Sequence, residues 1–198
     1  MSASFYDLAF TPSVLAEQQR HGSRDAYRRA RDAAPDEAGL GADERAFIEA
    51  RDHFYLATVS EAGWPYVQHR GGPPGFISAL DARTLAFVEL IGNRQYVTAG
   101  NTSRNPRCAL LFMDYAAQQR LKVMATLRHE PLEARPALAA SLLRGLPVKR
   151  AEALAVLEVA AFDWNCAKGI TPRYTADEVE RAVEPLRARI RELEAKRR

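Results

Sequence analysis

The chain is poor in the residues that most often announce a function. It has only two cysteines, Cys108 and Cys166, among 198 residues. They form no Cys-x-x-Cys pair, so neither a zinc site nor a thioredoxin-like motif is supported, and no metal site is expected. No apolar run approaches the roughly 18 residues that span a bilayer, so no membrane segment is expected. The N-terminus lacks the basic start and apolar core of a signal peptide, which makes a cytoplasmic location the expectation. Net charge is only +3, and charges of both signs mix along most of the chain. The last four residues, Ala195 to Arg198, are a basic tip. No nucleic-acid-binding motif accompanies that tip, so no nucleic-acid role is expected. Repeats and low-complexity tracts are absent.

The remainder is ordinary globular material: 47% hydrophobic residues, enough length for one domain with appendages, and enough to bury a core. The first fifty residues read as helices and linkers. Ser13 is placed to cap a helix through about Arg20, and Ser23 one from Arg24 to about Ala33. Pro35 to Gly39 is a breaker, and Ala42-Asp43-Glu44 opens a third helix carrying Phe47, Ile48 and Arg51. These segments are charged and only moderately apolar, as a cover or arm would be.

From His53 the pattern turns aromatic and β-branched. Residues 54–60, 64–68, 76–80, 84–90, 107–113 and 120–128 read as strands, with hairpin turns at 61–63 and 81–83. A helix is expected from Asn93 to about Gly100, with Gly100 and Asn101 as stop signals, and another over 136–146. Cys108 lies in an apolar strand-like run and reads as a small buried hydrophobe. Residues 151–162 are ambiguous: alanines and Glu152 favour helix, while the alternation of Leu154, Val156 and Glu158 suits a buried strand. Closely spaced antiparallel strands with one helical insertion predict a small closed barrel. The tail from Ala176 is helical. Val179, Val183, Leu186, Ile190 and Leu193 repeat at four-three-four-three spacing, as in an amphipathic helix lying on its own barrel or in a coiled coil. Pro185 is expected to kink or restart that helix.

Two stretches carry chemistry. His69-Arg70-Gly71-Gly72-Pro73-Pro74-Gly75-Phe76 places basic side chains on a glycine- and proline-rich turn, where backbone can approach a flat ligand. Gly92-Asn93-Arg94-Gln95-Tyr96 places a glycine, an amide and an arginine where a strand gives way to the expected helix. Such a turn suits a phosphate, because free N–H groups and the helix dipole face the anion. A phosphorylated, planar cofactor is the reading.

These stretches belong to a longer series: residues 47–52, 54–59, 63–76, 92–96, Met113-Asp114-Tyr115, Arg120-Leu121-Lys122 and Ala161-Phe162-Asp163-Trp164-Asn165-Cys166. In this order and spacing they resemble the FMN-binding split-barrel proteins related to pyridoxamine 5'-phosphate oxidase, from about residue 10 to residue 175. The resemblance implies a mainly β (α+β) fold: a six-stranded antiparallel split β-barrel with flanking helices, working as a homodimer with two FMN molecules at the subunit interface. It assigns 151–162 to the last barrel strand. The organisation expected is an N-terminal helical arm (1–52), an FMN-binding split-barrel domain (53–175) and a C-terminal amphipathic helix (176–198), forming one structural unit.

For the cofactor, the resemblance implies that Arg94 and Gln95 meet the phosphate, with N–H groups around Asn93 adding donors; an arginine at a helix start is also often merely solvated. Gln68, His69, Arg70 and Gly71 correspond to the strand along which the flavin lies, and Val88 and Glu89 to its neighbour. Arg70, Arg120 and Lys122 are candidates for positive charge near the pyrimidine end. Arg120 and Lys122 share a strand face, so both line the site or both face solvent. His69 reads as a proton donor or as a structural hydrogen-bonder. Trp164, Asn165 and Cys166 match a segment lying near the flavin; Cys166 has no visible base partner, and no nucleophile is assigned.

There is a departure at Ala167-Lys168-Gly169, where the family usually has Pro-Gln-His. The arginine- and histidine-bearing C-terminal segment of the true oxidases is also missing, so vitamin B6 oxidation is not expected. The expected function is a flavin-dependent oxidoreductase of a small molecule. The alternatives are a non-catalytic flavin carrier or sensor, a split barrel for haem or a deazaflavin, and a structural dimer with a decayed site.

Overall fold

In the computed structural model, which describes residues 4–33, 39–165 and 167–196, the alternating segments assemble one antiparallel sheet. Its strands are β1 (His53–Val59), β2 (Pro65–Gly71), β3 (Ile77–Ala79), β4 (Thr84–Leu90), β5 (Arg107–Asp114), β6 (Gln119–Glu130) and β7 (Ala151–Asn165). The order is β2-β1-β5-β6-β7-β4-β3. Two corrections follow. There are seven strands rather than six: all six segments that read as strands in the sequence form them, the third reduced to the three-residue β3 on the edge of β4, and β7 adds to them. The sheet is also not closed by hydrogen bonds, since β2 and β3 end the order.

The segment that propensity would make a helix is the longest strand. β7 pairs β6 on one side and β4 on the other, and both its faces are covered. Ala155, Leu157 and Val159 enter the main core with Phe54, Phe87 and Phe112. Leu154 and Val156 point the other way, into a second cluster with Val88 and Leu142. A strand buried on both faces loses the polar alternation that would have marked it. Aromatic rings centre the main core: Phe54 lies 5.2 Å from Phe112, 5.4 Å from Phe87 and 5.7 Å from Phe76.

The helices are α1 (Phe5–Ala9), α2 (Pro12–Arg20), α3 (Arg24–Asp32), α4 (Ala42–Glu49), α5 (Val97–Arg104), α6 (Pro136–Leu142) and α7 (Ala176–Ala195). Helix α1 is an addition to the expected set, and its Ser4 forms a capping box with Asp7. Helix α2 starts two residues early, with Thr11 rather than Ser13 as N-cap and Pro12 in the first turn. Helix α4 puts Ile48 fully into the core. The expected breaker at 35–39 lies outside the described residues except for Gly39. Helix α5 begins at Val97, not Asn93, and runs through Gly100 and Asn101. Those two residues stop nothing, because buried Asn101 donates to Thr58 Oγ1 on β1 at 2.9 Å, and this tie holds the helix together past the glycine. Helix α6 ends at Leu142, short of the expected residue 146.

The glycine- and proline-rich turn after β2 is a packing device. A Cβ on Gly72 would stand 2.6 Å from Phe76 Cγ, and Gly72 N–H donates to Asp52 C=O at 2.9 Å. Only glycine lets Phe76 double back into the core there.

Helix α7 opens with a capping box between Thr175 and Glu178 and continues through Pro185. It does not lie on its own barrel: none of its residues is buried. Among the described residues, no helix is long and apolar enough to cross a membrane.

Candidate functional site

Strand alternation aims Tyr66, Gln68 and Arg70 of β2 to one side and Val67, His69 and Gly71 to the other. The first three line a cavity of about 440 Å³. The register shift between Glu89 and Leu90 ends regular pairing of β4 with β7, and Glu89 faces the same cavity. Bulges often sit beside sites because they re-aim a side chain. The loop 92–96 closes the cavity. Its backbone is unusual: Arg94 has φ 60 and Tyr96 φ 52, a left-handed conformation that costs a non-glycine residue on the order of 1 kcal/mol. Asn93 Oδ1 accepts from Gln95 N–H at 3.1 Å, which holds the turn.

A hydrogen-bonded network lines the walls. Arg70 Nη2 donates to Glu89 Oε1 at 2.8 Å, and His129 Nε2 lies 3.7 Å from the same oxygen. Tyr66 O–H donates to Gln68 Oε1 at 2.9 Å. Tyr96 O–H donates to Glu152 Oε1 at 2.7 Å, and this bond to a carboxylate raises the tyrosine pKa above its ordinary value. Glu89 thus balances the charge of Arg70. Arg94 makes no ion pair among the described residues, so it is the cation on the cavity rim available to an anion.

The structure therefore brings Gln68, Arg70, Glu89, Asn93, Arg94 and Gln95 together around one cavity. His69, Gly71 and Val88 line a smaller recess of about 160 Å³, which Arg70 and Glu89 also border. His69 stacks on His53 with ring centres 5.6 Å apart and meets Tyr55 edge-on at 5.9 Å, which fits a structural histidine. Val88 belongs to the second core cluster.

The other candidates lie elsewhere. Arg120 and Asn165 face each other across β6 and β7. Lys122 shares the Arg120 face; its Nζ lies 3.4 Å from Asp163 Oδ2 and 5.0 Å from the centre of the Phe5 ring of α1. Trp164 pairs with core-facing Leu121 and so lies on the opposite strand face from Asn165. It packs edge-on against Phe47 at 4.7 Å and donates from Nε1 to Glu44 Oε1 at 2.8 Å. Cys166 lies outside the described residues. His129, on the cavity wall, is nine residues from Arg120 along β6, roughly 30 Å at about 3.3 Å per residue. One chain does not bring the two groups together.

Three buried side-chain atoms have no hydrogen-bond partner among the described residues: Arg70 Nε, Arg120 Nε and Asn165 Oδ1. Most buried polar atoms are satisfied, so an orphan points to a missing ligand, water or partner. All three lie on residues that the sequence reading assigned to a cofactor.

Sequence reasoning missed Tyr66, Thr98, His129 and Glu152 on the cavity wall. Alternation from Gln68 and Arg70 would have reached Tyr66. His129 and Glu152 arrive through the pairing of β6, β7 and β4, which no local pattern encodes. Among the described residues, no cluster of histidine, cysteine and carboxylate side chains could hold a metal.

Known structures share this architecture. HupZ of Group A Streptococcus superposes with a TM-score of 0.53 at 16% identity, covering 68% of this chain and 100% of that one. An FMN-binding protein from Syntrophomonas wolfei subsp. wolfei superposes with a TM-score of 0.51 at 11% identity, covering 77% and 97%. These likenesses are of fold. No curated protein matches the chain. The family model described as pyridoxamine 5'-phosphate oxidase matches residues 40–164, from the entry to α4 to the end of β7, and this chain belongs to that family.

Proposed function

We propose that the protein binds FMN in a site built jointly by two copies of the chain, and acts as a flavin-dependent oxidoreductase on a small molecule. The orphaned atoms Arg70 Nε, Arg120 Nε and Asn165 Oδ1 carry this reading. They are a donor, a donor and an acceptor, the mixture that the polar edge of a flavin ring complements. The Syntrophomonas wolfei relative, whose description is FMN-binding, agrees with it.

The residues divide the work. Arg94, with the amides of Asn93 and Gln95, takes the phosphate, because Arg94 is the cavity arginine that no carboxylate among the described residues pairs. Gln68 and Arg70 offer polar contacts along the ring, with Arg70 fixed in direction by Glu89. Arg120 and Asn165, roughly 30 Å away within one chain, come from the partner, which is why the site needs a homodimer. When bound, the flavin accepts or donates a hydride. Arg120 would place positive charge beside the ring and so favour its reduced, anionic form, whereas the charge of Lys122 is balanced by Asp163.

The test is the visible absorption spectrum of the purified protein, repeated after adding FMN and removing the excess. Retained flavin bands that bleach with a nicotinamide donor are expected. Flavin that is retained but resists every common donor makes the protein a carrier or sensor. A colourless protein that refuses FMN overturns the cofactor.

A further inference from the structure

The cavity of Arg94 contains one group that an anion site should avoid. Glu89 is balanced by Arg70, but Glu152, on the same wall, makes no ion pair among the described residues, and a bare carboxylate there repels a phosphate. A bulge puts it there. Glu89 pairs with Ala153 and Leu90 with Ala151, so Glu152 is the residue that the register skips, and its side chain is released from the regular alternation. It meets Tyr96, whose O–H donates to Glu152 Oε1 at 2.7 Å across 56 positions of sequence.

Tyr96 ends the loop that presents Arg94. That loop carries left-handed backbone at two residues that are not glycine, Arg94 with φ 60 and Tyr96 with φ 52. Such strain persists only where the surrounding contacts over-determine it, and it gathers at ligand clamps. The contacts are at hand. Ile91 N–H donates to Arg150 C=O at 2.7 Å, and Arg150 Nε donates back to Ile91 C=O at 3.0 Å, which pins the start of the loop to the residue before β7. The bond from Asn93 to Gln95 holds only its middle. Tyr96 pins its end to Glu152. Packing does not hold Tyr96, which is 52% exposed. As N-cap of α5 its side chain makes no bond to that helix, so the phenol is committed to Glu152. The positive charge of Arg94 acts on the same hydroxyl, which sets the guanidinium near this tie.

From this we infer that the Tyr96–Glu152 hydrogen bond is a latch, and that Tyr96 is a positioning residue for the phosphate: it fixes the loop from which Arg94 reaches and occupies an oxygen of the one unbalanced carboxylate on the wall. For the identity of the anion this rests on the FMN reading. It adds that the latch makes the site prefer a flavin with a terminal phosphate over the same ring without one.

The test compares the native chain with Tyr96→Phe, Glu152→Gln, Glu152→Ala and the double variant Tyr96→Phe with Glu152→Ala. Quenching of flavin fluorescence gives the affinity for FMN and for riboflavin, which lacks the phosphate. The rate of trypsin cleavage after Arg94 reads the loop with no flavin present. Tyr96→Phe should weaken FMN binding about 5- to 10-fold, the loss of one hydrogen bond, leave riboflavin binding unchanged and speed cleavage at Arg94. Glu152→Gln keeps an acceptor for the hydroxyl, so it should cleave as slowly as the native chain and bind FMN at least as tightly. Glu152→Ala should cleave as fast as Tyr96→Phe, and the double variant no faster than either, because both act through one bond. The inference is overturned if Tyr96→Phe weakens FMN and riboflavin equally, if cleavage at Arg94 does not change, or if the two substitutions add. A native chain that binds neither flavin refutes the cofactor reading instead, and the cleavage rates at Arg94 still decide whether the latch exists.

Discussion

Arg120 and Asn165 sit opposite each other across β6 and β7, and each leaves a buried polar atom unsatisfied. They are cross-strand neighbours, yet Arg120 Nε and Asn165 Oδ1 do not bond to each other. A buried donor and acceptor left side by side cost free energy unless something else satisfies both. If that something is a flavin held against the cavity of a second copy, mixing variants will reveal it. Arg94→Ala and Arg120→Ala should each lose FMN binding alone. Dimers reassembled from the two should regain one intact site each, measured by flavin retained per chain. No recovery would place both residues in the same subunit's site.

Arg94→Ala should weaken FMN binding about 10- to 100-fold, the equivalent of a charged hydrogen bond of about 1.5–3 kcal/mol. Quenching of FMN fluorescence on titration with protein reads this directly. Unchanged affinity would remove Arg94 from the phosphate site.

Glu89→Ala takes the partner from the Arg70 guanidinium, whose side chain is only 18% exposed. The stranded charge should lower unfolding free energy by about 2 kcal/mol, visible as a lower urea midpoint. Arg70→Leu combined with Glu89→Ala should recover part of that loss, because both charges then leave the interior.

Asp114 anchors Arg51 at 2.5 Å. Burial acts to raise its pKa, but hydrogen bonds from Ala117 N–H and from Arg51 outweigh it and hold the carboxyl below its ordinary 3.8. The contribution to stability is therefore complete above pH 3.8 and is lost as pH falls through the depressed value. The stability difference between the native chain and Asp114→Asn should be constant at neutral pH and shrink only below 3.8, as followed by denaturant unfolding across pH. A difference that already declines near neutrality would show that this carboxyl is not depressed.

Phe54→Ala should cost about 3–5 kcal/mol, since Phe54 is fully buried and touches three other rings. Thermal unfolding measures the loss.

Strands β1, β2, β5 and β6 were legible because half-buried strands alternate, and β4, buried at four consecutive positions, because a turn at 81–83 precedes it and it is short and free of strong helix signals. The β7 strand was not legible from propensity. Leu154 to Leu157 are all buried, and a segment covered on both faces carries no period to read. The start of α5 was missed because Arg94 and Tyr96 take left-handed backbone, which their side chains do not announce. Candidate site residues named from the resemblance proved to fall in two groups far apart in one chain, a division invisible in a linear string.

By itself the sequence determined the strand periods, the apolar stripe of α7 and the stretches that mark the family. Each of these is set by residues a few positions apart. Only the tertiary structure decided that His129 and Glu152 reach the cavity of Arg70 and Arg94, that Trp164 turns toward Phe47 and away from Asn165, and that α7 leaves its stripe uncovered. Those outcomes depend on strand register and on which face each pairing buries, and both are fixed by contacts between residues distant in the chain.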